Sequence, residues 1–165
     1  MKLLGFTGSS GSGKTTLIET ILPLLRGHGL RVSALKHAHH GFDIDRPGKD
    51  SFRFREAGAE EVMLVADGRW VLLREAARDE DISLQALAGR MAPVDIVLAE
   101  GFRLAQIPKI EVFRPSLGKP AFFPDDPGII AVASDEFMDA GGREVLPLNE
   151  PERVAGFILS HVMLP

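Results

Sequence analysis

Cysteine is absent from all 165 residues. Its absence removes disulfides, thiolate zinc sites and cysteine nucleophiles together, and it fits a cytoplasmic setting. No apolar run approaches the length that spans a membrane, so no membrane partner is expected. The first apolar strand begins within a few residues of Met1, so no signal peptide is expected. Excess positive charge is also missing. Lys and Arg total 19 against 23 Asp and Glu, a net charge of -4, so a nucleic-acid partner held by bulk electrostatics is not expected. There is no internal repeat and no low-complexity tract. The chain is 45% hydrophobic and 25% charged, which is ordinary for a globular protein, and its length suits a single domain over residues 1–165 with a real core.

Against that plain background one segment stands out. Gly8-Ser9-Ser10-Gly11-Ser12-Gly13-Lys14-Thr15 matches G-x-x-x-x-G-K-[ST] at every fixed position, and Thr16 follows. The context is what the chemistry requires. An apolar run, Leu3 to Thr7, reads as a strand before it, and residues 16–25 have helical apolar spacing after it. The glycines let successive backbone N–H groups turn onto phosphate oxygens, and the new helix adds its partial positive end. Lys14 is placed to reach the β- and γ-phosphates. The Thr15 hydroxyl is placed to ligate Mg²⁺, and the Thr16 hydroxyl is within reach of the α-phosphate. The expected ligand is a nucleoside triphosphate.

The rest of the chain alternates strands and helices. A helix is expected over Lys14–His28, with Pro23 kinking or relaxing its middle, then a strand over Leu30–Leu35. Lys36 to Asp50 has six His, Gly or Pro among fifteen residues, too irregular for a regular element, and reads as a functional loop. Asp50–Ala57 reads as a short helix. Glu61–Ala66 and Arg69–Arg74, joined by Asp67-Gly68, give a hairpin signal. A helix over Ser83–Met91, capped by Ser83, precedes a buried strand, Val94–Ala99. Lys109–Phe113 alternates as a further strand, Gly128–Ala133 is another buried one, and Asn149-x-x-Glu152 resembles a capping box for a last helix over Pro151–Met163. The fold class expected is α/β, a three-layer sandwich of the P-loop NTPase type, with a mostly parallel sheet and an added antiparallel hairpin. Ligands of such sheets lie at the carboxyl ends of the strands.

Glu100 ends the strand that starts near Asp95, where a carboxylate holds the magnesium shell or orients water. It is the leading Walker B-like candidate and, with Thr15, the expected metal ligand pair. In the Lys36–Asp50 loop, His37, His39 and His40 with Lys36, Arg46 and Lys49 read as an anion site first, a solvated loop second and a metal site third. Asp43, Asp45 or Asp50 could position water for attack on the γ-phosphate, with Asp45 carried as the catalytic candidate beside Lys14 and Glu100. Arg103 and Lys109 add cations near the same strand edge. Asp135 follows a strand where guanine-specific relatives read N1 and N2 of the base, although only this Asp of their Asn-Lys-x-Asp pattern is present. It could equally cap the next helix. No arginine stands at an obvious finger position, and residues 115–128 contain none.

Taken in order, Gly8–Thr16, Lys36-His-x-His-His40, Asp45-x-Pro-Gly-Lys-Asp-Ser51, Ala57-Gly58-Ala59, Glu100-Gly101-Phe102-Arg103 and Pro108-Lys-Ile-Glu-Val112 resemble the MobB family of molybdopterin-guanine dinucleotide biosynthesis adaptor proteins. The resemblance spans nearly the whole chain. It implies GTP and Mg²⁺ as cofactors, slow GTPase activity and a homodimer. It also implies assistance to the guanylyltransferase that joins GMP to molybdopterin, with the molybdenum-insertion enzyme and molybdopterin or its guanine dinucleotide as further partners. Two alternatives remain on the residues alone. One is a small-molecule kinase, against which the absence of an Arg-rich lid counts. The other is a metallochaperone GTPase using the histidines.

Overall fold

The computed structural model describes residues 1–38, 44–77 and 80–163. In chain order its elements are β1 (Lys2–Thr7), α1 (Lys14–Gly27), β2 (Val32–Lys36), α2 (Asp50–Glu56), β3 (Glu61–Ala66), β4 (Arg69–Arg74), α3 (Leu84–Gly89), β5 (Ile96–Glu100), β6 (Lys109–Phe113), β7 (Ile129–Ser134), β8 (Glu144–Pro147) and α4 (Pro151–Phe157). A π-helical turn, Ile158–Met163, continues α4. The elements group into two units: residues 1–37 with 83–165, and residues 38–82.

The first unit is built on a six-stranded sheet in the order β2-β5-β1-β6-β7-β8. Every pairing in it is parallel. Parallel strands need crossovers that cover both faces, which is why these runs are apolar on both sides. Leu4 and Phe6 of β1, Ile96 and Leu98 of β5, and Ile110 and Val112 of β6 pack on one face with Leu17, Ile21 and Leu25 of α1 and Val154, Phe157 and Ile158 at the chain's end. On the opposite face, Leu84 of α3 joins Ala99 and Ile107, and Phe123 joins Val132 and Ala140. This is the expected α/β architecture.

Several local expectations shift. The second strand begins at Val32 and reaches Lys36, because its partner is Ile96–Glu100 and pairing sets its span. The first helix runs unbroken through Pro23. Ser83 caps α3 by accepting from the Ala86 N–H at 3.3 Å. The capping box does not form: Glu150 is the N-cap residue of α4 and makes no side-chain cap bond. The alternation of β6 does not mark a solvated face either. Lys109 and Glu111 are 2% and 1% exposed, since the loops on that side close over them.

In the second unit, β3 and β4 pair antiparallel from Glu61↔Arg74 to Ala66↔Arg69. Gly68 supplies the positive φ of 78° that the two-residue turn needs. Asp45 is buried and ties the approach to α2, accepting from the Ser51 hydroxyl at 2.7 Å, the Arg46 N–H at 3.0 Å and Arg55 Nε at 3.2 Å. Met63, Val65, Trp70 and Leu72 of the hairpin remain exposed.

Candidate functional site

The loop between β1 and α1 is shaped by three glycines at positive φ: Gly8 at 135°, Gly11 at 83° and Gly13 at 98°. Gly13 is the N-cap residue of the 14-residue α1, so the loop delivers free N–H groups into a helix N-terminus. The turn of the chain is closed by the Ser12 N–H on the Ser9 carbonyl at 3.2 Å. Lys14 folds back and donates from Nζ to the carbonyls of Gly8 and Ser9, both at 2.9 Å. Burial lowers its pKa from the ordinary lysine value. Glu100 opposes that shift, while Lys36 and Lys119 add to it. The loop walls a cleft of about 410 Å³ that also includes Thr15, Thr16, Lys36 and Glu100.

At the end of β5, Glu100 meets Thr15. The Thr15 hydroxyl lies 2.9 and 3.0 Å from the two carboxylate oxygens. Parallel pairing puts them there, since β1 and β5 run in register from Lys2↔Ile96 to Phe6↔Glu100. Lys36 ends β2 on the other side of β5 and completes the group. Its ammonium is 3.2 Å from both Thr15 Oγ1 and Glu100 Oε1. A cation therefore already sits on the two oxygens expected to hold magnesium. A hydroxyl and a carboxylate are hard oxygen donors of the kind Mg²⁺ takes. The groups present also fit a triphosphate. Lys14, Lys36 and Lys119 bring positive charge to the loop, and a Cβ at Gly11 would meet nothing within 4 Å. Ser12 Oγ is buried without a hydrogen-bond partner among the described residues.

Two residues outside the sequence expectations close the far side of the loop. Lys119 donates to the Ser10 carbonyl at 3.1 Å. Arg114 donates from Nε to the Ser12 carbonyl at 3.0 Å and from Nη1 to Asp135 Oδ2. Sequence reading named no arginine near this loop, and Arg114 is one. Arg114 directly follows β6, one residue before the arginine-free stretch. The signal that could have found it was its place after a strand neighbouring β1.

Likeness to known proteins gives the family and the fold. The family model for molybdopterin guanine dinucleotide synthesis protein B matches residues 3–135. The chain belongs to this family. The molybdopterin-guanine dinucleotide biosynthesis adapter protein of Escherichia coli (strain K12) is 40% identical over 160 residues, 95% of this chain and 91% of that one. Its Haemophilus influenzae counterpart is 40% identical over 157 residues, 94% of this chain and 86% of that one. A crystal structure of molybdopterin-guanine biosynthesis protein B superposes with a TM-score of 0.75 at 31% identity, covering 96% of this chain and 98% of the other. Bacillus subtilis MobB gives 0.72 at 26% identity, covering 97% of each.

The other expected site residues of this MobB family member fall in different places. The His37 N–H donates to the Glu100 carbonyl at 2.9 Å, and its ring tilts against Phe102 with centroids 5.4 Å apart. His39 and His40, with Asp43, lie outside the described residues. Arg46 and Lys49 belong to the second unit, where they edge a cleft of about 630 Å³ with Ile44 and Met63. Asp45, the water-positioning candidate, belongs to the second unit. Its oxygens are taken by Ser51, Arg46 and Arg55, and the Ser51 hydroxyl, first among these, holds its pKa below the usual carboxylate value. Lys109, named for the anion site, is taken up inside the fold. It is buried, with Nζ on Asp126 Oδ2 at 3.0 Å and the Ala105 carbonyl at 2.8 Å. The Arg103 guanidinium stacks over the Phe122 ring at 3.9 Å. Among the described residues no group of three or more His, Asp or Glu could hold a metal ion, and no helix is long and apolar enough to cross a membrane.

Proposed function

We propose that this chain is a GTP-binding adapter in molybdopterin-guanine dinucleotide biosynthesis, with weak GTP hydrolysis. The adapter role rests on the family and on the names its relatives carry. The observation that carries nucleotide binding is the convergence of Lys14, Lys36 and Lys119 on a glycine-shaped loop whose Thr15 is bonded to the strand-end carboxylate of Glu100. Thr15 and Glu100 would hold Mg²⁺, which when bound supplies positive charge at the phosphate oxygens. Lys14 and the loop N–H groups orient the triphosphate, and Thr16 lines the same cleft.

Turnover is slow because the arginine beside this loop, Arg114, is tied in place. Arg114 is held by its bonds to the Ser12 carbonyl and Asp135, and a free arginine finger is worth roughly 10³–10⁵ in rate. The partners proposed are the guanylyltransferase, the molybdenum-insertion enzyme, and molybdopterin or its guanine dinucleotide, in the cytoplasm. The exposed apolar hairpin is the proposed seat of a homodimer.

The test is a titration of GTP and ATP with and without magnesium, on the natural chain and on Lys14→Ala. GTP binding stronger than ATP, dependent on magnesium and weakened at least tenfold in the variant, is expected from loss of a charge-assisted phosphate contact. Unchanged binding in Lys14→Ala would reject the site, and equal affinity for the two nucleotides would reject the base assignment.

A further inference from the structure

Arg114 joins two segments that the sequence keeps far apart. It reaches the phosphate loop at Ser12, 102 residues away, and Asp135, 21 residues away. One planar guanidinium makes both bonds, Nε to the Ser12 carbonyl at 3.0 Å and Nη1 to Asp135 Oδ2. Its Nη2 also lies 3.6 Å from where a Cβ on Gly13 would stand. Because the fork is rigid, it sets the spacing between the loop and the carboxylate. The second oxygen, Asp135 Oδ1, is buried and has no hydrogen-bond partner among the described residues. A buried carboxylate oxygen without a donor is unusual, and its natural complement is a ligand N–H.

We infer that Arg114 is a positioning residue for guanine selectivity: it holds Asp135 at a fixed distance from the phosphate loop so that the carboxylate can accept from guanine N1–H and N2–H. The inference rests on the GTP reading above. Guanine offers two parallel donors on that edge. Adenine offers an acceptor at N1 and would face the carboxylate with lone pairs. A carboxylate oxygen has more than one acceptor position, so Oδ2 can keep Arg114 and still receive a base donor. A lysine at 114 keeps the charge but cannot span both acceptors in one plane.

The test measures affinities for GTP, ATP, XTP and inorganic tripolyphosphate with the full chain and with R114A, R114K and D135N. Tripolyphosphate reads the phosphate loop without the base. In R114A, GTP affinity should fall about tenfold further than tripolyphosphate affinity, the size of one hydrogen bond to a charged group, and R114K should restore little of it. D135N should gain on XTP, because an amide donor matches the second carbonyl of xanthine. If R114A keeps the natural preference for GTP over ATP, or loses GTP and tripolyphosphate equally, the positioning role is overturned while the GTP reading stands. If the natural chain itself shows no preference for GTP, the GTP reading fails and the inference falls with it.

Discussion

Replacing Lys36 by methionine removes the ammonium that touches both Thr15 Oγ1 and Glu100 Oε1 at 3.2 Å. At that separation a bare pair would be worth about 1.3 kcal/mol in water. The Lys36 side chain is 60% exposed, so screening and lost side-chain freedom bring the pair to roughly 1 kcal/mol or less. That energy now opposes magnesium, because metal and ammonium compete for the same carboxylate oxygen. Removing the ammonium should therefore lower the magnesium concentration for half-maximal GTP binding about fivefold, the factor that ~1 kcal/mol gives. Without magnesium, the variant should bind GTP more weakly than the natural chain, since one of three cations at the phosphates is gone. The two effects act in the same direction on one ratio, affinity with metal over affinity without it, and that ratio should rise about tenfold or more by reciprocal linkage. A fluorescent GTP analogue titrated in chelator and across a magnesium series reads it directly. Lys36→Arg, which keeps the charge, should stay near the natural ratio, and added salt should shrink the difference. A Lys36→Met ratio equal to or below the natural one would refute the argument that Lys36 and magnesium share these oxygens.

Three further outcomes follow from geometry already described. Gly8→Ala places a Cβ 2.3 Å from the Val112 carbonyl oxygen at a φ of +135°, so it should cost about 3 kcal/mol or more in denaturant unfolding. Gly11→Ala meets open space and should cost only about 1–2 kcal/mol of left-handed strain; equal midpoints for the two would contradict the loop geometry. Burial raises the Glu111 pKa above the ordinary 4.5, against the pull of the Phe122 and Phe123 N–H groups. The folded chain then holds this proton more tightly than the unfolded one, so its contribution is full below pH 4.5 and is lost as pH rises through the higher folded value. Glu111→Gln should flatten the decline in stability across that window, and unchanged slopes in pH-dependent denaturation would argue against it. Val65 and Trp70 are cross-strand partners, 74% and 67% exposed. The pair Val65→Lys with Trp70→Glu should convert a sedimenting dimer to an ~18 kDa monomer without lowering the melting temperature much; a natural chain that already sediments as a monomer would remove the dimer reading.

What the sequence discloses is governed by distance along the chain. The phosphate loop, its helix and the hairpin are local, and residues 8–16 and 61–74 could be read directly because glycine conformation and turn chemistry act over a few residues. Glu100 was legible from topology, as a carboxylate at the end of an apolar strand. Arg114, Lys119 and the second partner of Lys36 were not, because their meaning lies in contacts across 102, 109 and 64 residues. Lys109 misled for a related reason. Polar residues alternating in a strand suggest one wet face, but in a parallel sheet both faces are covered and the polar side chains must find partners inside. Lys109 found Asp126, and Glu111 found the Phe122 and Phe123 N–H groups. The Asn149 pattern failed because a capping box needs a side-chain geometry that residue spacing alone does not supply.

The strand order has a consequence for how the chain is made. β1 is the first strand to leave the ribosome, yet both its neighbours, β5 and β6, come from residues 96–113. At roughly 5–20 residues per second, the loop at residues 8–16 waits some 5–20 s before the strand carrying it is flanked on both sides. During that time the hairpin over residues 61–74 can already zip, since all its contacts are local. The end of the nascent chain that carries the glycine-rich loop is thus exposed longest, an apolar strand with no neighbours. A truncation before residue 113 would release a product that contains the whole loop motif but lacks a complete β6 beside β1.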